Sequence, residues 1–333
     1  RGSSMGSASL QTTLSPLMIF LQAKEIQEIM INRADEIWLD DGKTMTRLTI
    51  DLSYKILKRL VDLIAAQTGQ ELKDNNPLLS AMLPGGHRIQ IIMPPAVKML
   101  DKNNTWQDTV SLSIRKQTQC DLNLYDFSRE GGFTKIGTSN KLANTSLQHR
   151  YKTKQYLELL IDAVKDKKTI LISGGTYSGK TTLLNMLIKE IDKHERIICI
   201  EDTPELIVKH ENQVRLFYSR GMQGAAQVSA HHLLTATLRM RPDRIIMGEL
   251  RDDDAVCWLQ AANTGHEGTL SSIHSDTPAL AIQKLIDMVK TKHPFQSDES
   301  IRSYIQAVVD IIIQVKRDVS TGQRYISDIY LVG

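Results

Sequence analysis

Eight consecutive residues near the middle of the chain restrict its possible folds more than any other feature of the sequence. The pattern G-x-x-x-x-G-K-S/T is satisfied in full by Gly174-Gly175-Thr176-Tyr177-Ser178-Gly179-Lys180-Thr181. An apolar stretch typical of a strand, Ile170 to Ile172, precedes the motif, and a helical pattern from Thr182 to Ile191 follows it. A strand, a glycine-rich turn and a helix in this order predict a loop that binds the phosphates of a nucleoside triphosphate.

Each part of this loop has a physical role in binding phosphate. Glycines allow the backbone to wrap closely around the ligand, so that successive N–H groups point at phosphate oxygens, and the helix N-terminus adds positive potential. In such loops the lysine reaches the β- and γ-phosphates and the hydroxyl binds Mg²⁺. A chance glycine-rich turn is the alternative, but it does not account for the flanking strand and helix. The residues expected to contact the nucleotide are Gly174, Gly175, Thr176, Tyr177, Ser178, Gly179, Lys180, Thr181 and Thr182.

The second half of the chain alternates between strand-like and helical patterns. The strand-like stretches are Thr169–Ser173, Arg196–Ile200, Val214–Tyr218, Arg244–Met247 and Thr269–Ile273. This alternation predicts an α/β fold with a largely parallel sheet. The chain is then expected to end in a hairpin of Val308–Val315 and Arg324–Leu331 around a Ser-Thr-Gly turn.

The first half predicts a mixed α+β unit. Asp40-Asp41-Gly42-Lys43 is typical of a hairpin turn between two short apolar stretches. Apolar residues at helical spacing predict a helix over Ser53–Gln67, with Ser53 as its N-cap and Gly69 just past its end. Two further strand-like pieces, Arg88–Met93 and Thr109–Arg115, are expected to be joined by a polar loop.

These patterns divide the chain into four parts. Residues 1–9 are rich in Ser and Gly and are interpreted as the remnant of an expression tag. Residues 10–133 form the predicted N-terminal α+β domain, residues 134–150 the predicted linker, and residues 151–333 the predicted nucleotide-binding α/β domain. A length of 333 residues suits two domains, and 41% hydrophobic residues exclude a disordered chain.

Composition also restricts the class of protein. A formal net charge of +3 is too balanced to indicate nucleic-acid binding by itself. The three cysteines, Cys120, Cys199 and Cys257, are far apart and form no C-x-x-C pair, which favours a reducing compartment over a disulfide framework. No stretch reaches the roughly 18 uncharged apolar residues that a membrane-spanning helix requires, so we expect none.

Carboxylates follow two apolar strands beyond the phosphate loop. Glu201 and Asp202 end the stretch that begins at Arg196, and Glu249 follows the stretch that begins at Arg244. Because ligands of open α/β sheets bind at the carboxyl ends of strands, Glu201 and Asp202 are placed to order Mg²⁺ or its waters. Glu249 is expected to hold the water shell of the metal, which the loop hydroxyl of Thr181 binds. Glu249 can also polarise an attacking water. The alternative is an ordinary acidic turn, which is the better explanation of Glu201 and Asp202 taken alone.

Histidines and arginines surround these acidic strands. His266 and His274 flank a third strand, but they are eight residues apart and lack the quartet of ligands that a metal cluster needs. We interpret His274 as a sensor of the γ-phosphate or as a coupling residue between subunits, with a structural histidine as an equal alternative. Fixed cations stabilise the charge that spreads over a transferring phosphoryl group. Four arginines near the strand that ends at Glu249 could supply such cations, although some of them are explained equally well as solvated surface residues: Arg239, Arg241, Arg244 and Arg251.

Four motifs in this order resemble those of the secretion traffic ATPases. The phosphate loop is followed by Ile200–Leu206, which is similar to the family's Asp box, by Arg239–Arg251, which is similar to its Walker B segment, and by Thr264–His274, which is similar to its His box. Two segments of the first half, Leu83–Ile91 and Ser111–Lys116, resemble N-terminal-domain segments of one subgroup. That subgroup is the hexameric traffic ATPases of bacterial type IV secretion and conjugation systems.

The resemblance implies a RecA-like C-terminal domain and a smaller N-terminal domain, with nucleotide bound between them. It implies that Arg88 and Arg115 reach from the N-terminal domain toward the γ-phosphate, and that Arg241 acts near or across a subunit boundary. It also implies a homo-hexameric ring at the cytoplasmic face of a bacterial inner membrane. The sequence departs from the family pattern at Glu267 and Gln117, where proline is common, and both changes concern local loop geometry.

Together these inferences predict an ATP-hydrolysing motor subunit for type IV secretion, pilus assembly or conjugative transfer of protein or DNA. The expected cofactors are ATP and Mg²⁺, and the expected partners are further copies of the chain, other inner-membrane secretion ATPases and membrane proteins, with peripheral membrane contact. The residues expected to act in catalysis are Glu249, Glu201, Arg88, Arg115, Arg241 and His274.

Two other functions are compatible with the same motifs. One is a RecA-like nucleic-acid motor, a helicase or packaging enzyme. Direct nucleic-acid binding is nevertheless not expected, because the sequence has no aromatic-rich basic stripe on which bases could stack. The other is a scaffold that binds nucleotide without hydrolysing it, and the full set of acidic residues argues against that function.

Overall fold

The computed structural model describes residues 12–83, 85–117, 129, 141–219, 227–252 and 254–332. The predicted tag remnant, Cys120 and residues 134–140 of the predicted linker lie outside these ranges. Within them, the long strands belong to two sheets, one built from the first third of the chain and one built mainly from the second half.

The first sheet is antiparallel throughout and has the strand order β3-β2-β1-β8-β5-β4. The predicted hairpin at Asp41 is confirmed, since its two strands pair with Asp40 opposite Met45. The strands of this sheet are β1 (Glu28–Ile31), β2 (Glu36–Asp40), β3 (Met45–Thr49), β4 (Leu78–Met82), β5 (Arg88–Ile92) and β8 (Ser111–Arg115).

Two helices accompany this sheet, α1 (Ser15–Gln22) and α2 (Tyr54–Thr68). The apolar residues of α2 recur every three or four positions, so Leu57, Leu60 and Ile64 lie on one face and join the buried core formed with the strands. The helix ends where predicted, because Gly69 adopts the left-handed conformation with φ 65° that closes helices. The predicted cap is only half realised: Ser53 occupies the N-cap position, but its side chain makes no capping hydrogen bond.

The second sheet has nine strands within the described ranges, in the order β15-β14-β9-β13-β12-β10-β11-β6-β7. Six neighbouring strands, from β14 to β11 in that order, run parallel, which confirms the predicted α/β fold with a largely parallel sheet. The strands are β6 (Val97–Leu100), β7 (Trp106–Asp108), β9 (Ile170–Gly174), β10 (Ile197–Glu201), β11 (Gln213–Phe217), β12 (Arg244–Met247), β13 (Leu270–Ile273), β14 (Ile311–Arg317) and β15 (Arg324–Leu331).

Helices flank this sheet and bury two aliphatic clusters against it. The phosphate loop leads into one of them, which begins at Lys180, two residues before the predicted start. The helices of this half are α3 (Lys141–Lys152), α4 (Tyr156–Lys165), α5 (Lys180–Lys189), α6 (Ala230–Thr237), α7 (Asp254–Asn263), α8 (Pro278–Lys292) and α9 (Asp298–Val308).

Three local expectations differ from the structure. The polar loop expected between β5 and β8 contains the short strands β6 and β7, and β6 pairs with β11 of the second sheet. Strands of three or four residues are too short for a periodic pattern, and their pairing is a long-range contact. Part of the predicted linker is helical, because α3 begins at Lys141. The predicted final hairpin begins too early, since Val308 ends α9, and Ser297 caps the start of that helix.

A buried polar cluster joins the two sheets. Arg196, which is fully buried, donates from Nη1 to Asn32 Oδ1 at 2.7 Å and to Asn212 Oδ1 at 2.6 Å. Its Nε donates to the carbonyl of Met240 at 3.0 Å. Burial lowers the pKa of Arg196 to about 10, so the guanidinium keeps its charge at neutral pH and needs these acceptors. Since Asn32 directly follows β1 of the first sheet, the cluster ties the two halves together.

No helix in the described ranges is both long enough and apolar enough to span a bilayer.

Candidate functional site

The phosphate loop lies at the carboxyl end of β9, where the strand passes directly into α5. Tyr177 (φ 61°) and Gly179 (φ 102°) both adopt left-handed backbone conformations that fold the loop back on itself. A Cβ on Gly179 would lie 2.7 Å from Cδ of Arg324, so neither the conformation nor the space admits a side chain there. The first turn of α5 therefore points its free N–H groups into the loop. All nine residues predicted to contact nucleotide lie in this segment.

Lys180 occupies the centre of the loop. Its ammonium donates to the carbonyl oxygens of Gly174 and Gly175, each at 3.0 Å, and to Nδ1 of His274 at 3.2 Å. Burial lowers the pKa of Lys180, an effect that the negative charge of Glu249 partly offsets. The lysine is thus held at the loop by neutral acceptors and lies within reach of the acidic strand end.

Glu249 and His274 lie next to this lysine, as their positions at two strand ends predict. Nε2 of His274 lies 3.0 Å from Oε1 of Glu249, and the other carboxylate oxygen pairs with Arg251. Burial, followed by the charge of Lys180, lowers the pKa of His274. The imidazole is therefore neutral at pH 7, with Nδ1 accepting from the lysine and Nε2–H donating to the glutamate. The hydrogen bond that Arg251 donates to Glu249 raises the pKa of Arg251.

Glu201 does not lie free at its strand end. Its side chain is 1% exposed, and Oε1 accepts the backbone N–H groups of Glu205 at 2.9 Å and Leu206 at 2.7 Å. Its second oxygen pairs with Arg215. Both carboxylate oxygens are thus bound inside the protein, and this burial argues against the predicted metal-ligand and catalytic roles of Glu201.

The acidic group that does reach the loop is Glu205, which the sequence reasoning missed. Its Oε2 accepts a hydrogen bond from Oγ1 of Thr181, the hydroxyl expected to bind Mg²⁺, at 3.0 Å. Glu205 belongs to the segment that resembles the Asp box, so the sequence contained a signal. The spacing alone could not show that the turn after β10 would bury the first glutamate and present the second.

The three arginines implied by the resemblance lie together, but not at the phosphate loop. Arg88 and Arg115 are direct partners on β5 and β8, and with Arg241 they line a cavity of about 1200 Å³. None of residues 174–182 lines this cavity. Arg241 precedes β12, whereas the phosphate loop follows β9, so the parallel strands place them at opposite edges of the sheet. The four-residue strand β12 alone accounts for about 13 Å of that separation.

Arg241 is held firmly at its place by two carboxylates. Its Nε lies 2.7 Å from Oδ2 of Asp40, a residue of the first sheet, and its Nη1 pairs with Asp243. Arg244, three residues later, is fully buried and binds Glu195 through two nitrogens, so it has a structural role rather than the transition-state role considered for it. The cavity also receives Glu28, whose pKa is raised by burial, beside Arg115.

A second cavity, of about 510 Å³, adjoins the outer side of the phosphate loop. Residues 175–178 form one wall, and the final hairpin supplies Lys316, Arg317 and Val319 to the other. Tyr177 is 78% exposed, so its aromatic ring is accessible to a ligand in this cavity. The phosphate loop thus has an acidic side around Glu205 and Glu249 and a basic side on the hairpin.

Comparison with known proteins decides which family these features belong to. A family described as "Type II/IV secretion system protein" matches residues 11–324. The chain belongs to this secretion family. Its relatives include the type IV secretion system protein VirB11 of Bartonella quintana, 37% identical over 97% of this chain and 93% of that protein. Another is the protein VirB11 of Rhizobium radiobacter, 36% identical over 97% of this chain and 92% of its own length.

A solved structure of a family member matches nearly all of this chain. It is described as the crystal structure of the VirB11 ATPase from the Brucella suis type IV secretion system in complex with sulphate. The two chains are 32% identical and superpose with a TM-score of 0.89 over 99% of this chain and 96% of the other. The match confirms the resemblance read from the sequence and the predicted pairing of an α+β N-terminal unit with a phosphate-loop domain.

Proposed function

We propose that the chain is an ATP-hydrolysing motor subunit of a type IV secretion system. The observation that carries this proposal is the convergence of Lys180, Glu249 and His274 at one end of the parallel sheet. His274 joins the other two, with Nδ1 3.2 Å from Nζ of Lys180 and Nε2 3.0 Å from Oε1 of Glu249. A nucleotide-binding scaffold would not need an acid held beside the lysine of the loop. Similarity to VirB11 proteins supports secretion, pilus assembly or conjugative transfer as the process that the motor drives.

Mg²⁺ and the triphosphate fit the groups that the loop presents. Mg²⁺ prefers oxygen ligands and keeps several waters, so a hydroxyl and a nearby carboxylate suffice beside the phosphate oxygens. Thr181 Oγ1 and Glu205 Oε2, 3.0 Å apart, supply that pair. Bound there, Mg²⁺ would neutralise charge on the phosphates. The hairpin residues Lys316 and Arg317, with Tyr177 opposite, would receive the nucleoside end.

Glu249 is proposed as the group that takes a proton from the attacking water. Its contacts with Arg251 and His274 orient the carboxylate. Lys180 would exchange the carbonyls of Gly174 and Gly175 for phosphate oxygens, since an ammonium binds a charged acceptor more strongly than a neutral one. His274, which touches both, would then register whether a γ-phosphate is present.

We further propose that the arginine cavity serves the nucleotide of an adjacent copy. Arg88, Arg115 and Arg241 cannot reach the loop of their own chain, because they lie at the opposite edge of the sheet. A closed ring joins subunits head to tail, so one edge of each subunit faces the other edge of its neighbour. A homo-hexamer would place these cations on the γ-phosphate across the boundary, at the cytoplasmic face of the inner membrane beside other secretion ATPases and membrane proteins.

The first test is phosphate release by the purified full-length chain with ATP and Mg²⁺. The wild type should hydrolyse ATP, and Lys180→Ala should abolish both nucleotide binding and turnover while the circular dichroism spectrum stays unchanged. If the wild-type chain binds ATP but releases no phosphate, the motor function is rejected and the chain is a scaffold that binds nucleotide without hydrolysing it. Stimulation by single-stranded DNA that weakens with salt would favour the nucleic-acid motor instead.

The second test concerns the adjacent copy. Lys180→Ala and Arg241→Ala are each expected to be inactive alone. Mixed in one preparation, they should recover part of the activity, because some boundaries then join an intact phosphate loop to an intact arginine. If mixing restores nothing while mass measurement shows mixed rings, the arginine acts within its own subunit.

A further inference from the structure

A continuous set of contacts runs from the first half of the chain to the hydroxyl of the phosphate loop. It begins at the hairpin β6–β7, which belongs to the first third of the sequence but pairs with β11, placing Lys98 opposite Arg215. It ends at Thr181, where Glu205 accepts the hydroxyl hydrogen bond. Arg215 lies in the middle, and the function proposed above gives it no role.

On one side, Arg215 holds the turn that carries Glu205. Arg215 is 4% exposed, and its Nη2 pairs with Glu201 and donates to the carbonyl of Leu206 at 3.0 Å. The same Glu201 accepts the N–H groups of Glu205 and Leu206. The turn is therefore fixed by three hydrogen bonds, all of which depend on a buried carboxylate and its single guanidinium.

On the other side, Arg215 contacts the hairpin. Its guanidinium carbon lies 5.3 Å from the centre of the Trp106 ring, within the range of a cation–π interaction. Trp106 also packs edge-on against Phe217 of β11, with ring centres 5.2 Å apart at 84°. A displacement of the hairpin would therefore move or expose the guanidinium.

The far end of the turn is attached to the helix that follows the phosphate loop. Nδ2 of Asn185 donates to the carbonyl of Glu205 at 3.2 Å, and Oδ1 of Asn185 accepts the N–H of Ile207 at 2.8 Å. The position of the Glu205 carboxylate beside Thr181 is thus set by α5 from one side and by Glu201 with Arg215 from the other.

We propose that Arg215 is a positioning residue that sets the affinity of the nucleotide site for Mg²⁺, and that Trp106 couples this affinity to the hairpin contributed by the first half of the chain. The proposal rests on the function proposed above. Without Arg215, Glu201 loses its ion-pair partner and the carbonyl of Leu206 loses its hydrogen-bond donor. The turn then loses its anchor, and Glu205 no longer stays within hydrogen-bond reach of Thr181.

The test is the gain in ADP affinity that Mg²⁺ provides, measured by isothermal titration as the ratio of the Kd in EDTA to the Kd in Mg²⁺. Groups that orient metal ligands typically change metal affinity by 10- to 100-fold, so Arg215→Met should lower this gain by about 10-fold. ADP affinity in EDTA should stay unchanged, because the loop backbone and Lys180 are intact. Trp106→Leu should lower the gain in the same direction by a smaller factor.

Two variants separate positioning from a merely structural role. Arg215→Lys keeps a charge beside Glu201 but lacks the planar fork, so it should recover part of the gain. The double variant Arg215→Met with Glu201→Gln removes both buried charges and should fold, yet its Mg²⁺ gain should remain low. Arg33→Met is the matched control, since Arg33 pairs with Glu36 at 2.6 Å near the same hairpin but has no contact with the turn.

Each outcome is decisive. The proposal would be overturned if the double variant folds and both it and Trp106→Leu keep an Mg²⁺ gain within about twofold of the wild type. In that case, ATP hydrolysis by the wild type would still support the proposed function. A wild type that binds ADP with no gain from Mg²⁺ would overturn the proposal as well. A wild type that binds no ADP at all would instead reject the nucleotide-dependent function from which the proposal starts.

Discussion

Replacing the carboxylate of Glu249 by an amide tests the chemistry of the site most directly. Glu249→Gln keeps the size and shape of the side chain and one oxygen that can accept from Arg251 or from His274 Nε2, 3.0 Å away. It removes the ability to take a proton from water. Loss of a general base lowers rates by about 10²- to 10⁴-fold, which corresponds to about 2.7 to 5.4 kcal/mol of activation free energy.

The same change should have little effect on folding. The side chain of Glu249 is 18% exposed and its partner Arg251 is 34% exposed, so water screens the ion pair and its contribution to stability is at most about 1 kcal/mol. Nucleotide affinity should also persist, because Lys180 and the backbone of the loop do not change. We therefore expect a chain that folds and binds ATP but turns over at least about 100-fold more slowly.

The assay is phosphate release at saturating ATP and Mg²⁺, paired with equilibrium binding of a fluorescent ATP analogue. Glu299→Gln is the matched control, since Glu299 is exposed in the first turn of α9, far along the chain from the site. A normal rate in Glu249→Gln would refute the assignment of Glu249 as the base. Loss of binding in proportion to the rate would show that Glu249 acts in binding rather than in the chemical step.

Two further substitutions and one titration probe other parts of the structure. Arg244→Met breaks a buried ion pair and should reduce the free energy of unfolding by about 3 to 5 kcal/mol in urea titrations, whereas the exposed Arg239→Met should leave it within about 0.5 kcal/mol. Gly179→Ala forces a side chain into a left-handed conformation beside Arg324, at a cost of about 1 to 3 kcal/mol. The loop of the free variant escapes this cost by relaxing and must regain the strained conformation to bind phosphate, so calorimetry should show ADP affinity about 5- to 150-fold weaker. The imidazole of His274 should titrate in NMR spectra below its usual pKa of about 6.5, because burial and Lys180 disfavour its charged form.

Acidification should destabilise the folded chain through His274. Because the pKa of His274 is lower in the folded chain than in the unfolded one, protonation favours unfolding. The contribution of His274 is complete above about pH 6.5 and is lost as the pH falls through the lowered value. His274→Gln should therefore unfold less steeply on acidification. An imidazole that titrates above 6.5, an unchanged ADP affinity in Gly179→Ala, or equal stability of the Arg244 and Arg239 variants would contradict the respective argument.

Local patterns in the sequence are sufficient for the phosphate loop and the parallel sheet. The loop depends on backbone conformation and on groups within eight consecutive residues, so Gly179 and Lys180 could be assigned their places before any fold was known. Glu249 and His274 could be predicted as neighbours of the loop because parallel strands bring their carboxyl ends to one edge. Short strands such as β6 and β7 could not be predicted, since β7 pairs with β6 and β6 pairs with β11, which is more than a hundred residues away.

Local patterns could not predict which of Glu201 and Glu205 reaches the phosphate loop. Both follow one strand, and spacing favours the first, but Glu201 is drawn into the interior by Arg215 and two backbone N–H groups while Glu205 reaches Thr181. This outcome depends on β11, which pairs beside β10 and delivers Arg215 to the strand end. Short-range spacing cannot predict the contact between Arg215 and Glu201.

The position of the three arginines likewise depends on contacts between residues that are far apart in the chain. The sequence by itself predicted a phosphate loop at the carboxyl edge of a parallel sheet with Glu249 and His274 at neighbouring strand ends, and its resemblance to the secretion ATPases implied that Arg88, Arg115 and Arg241 act on the γ-phosphate. Only the tertiary structure decided that the arginines gather at the opposite edge, tied to the first sheet through Asp40. The physical reason is range: hydrogen bonds within a turn are specified by adjacent residues, whereas the packing of two sheets is a sum over contacts between residues far apart in the chain.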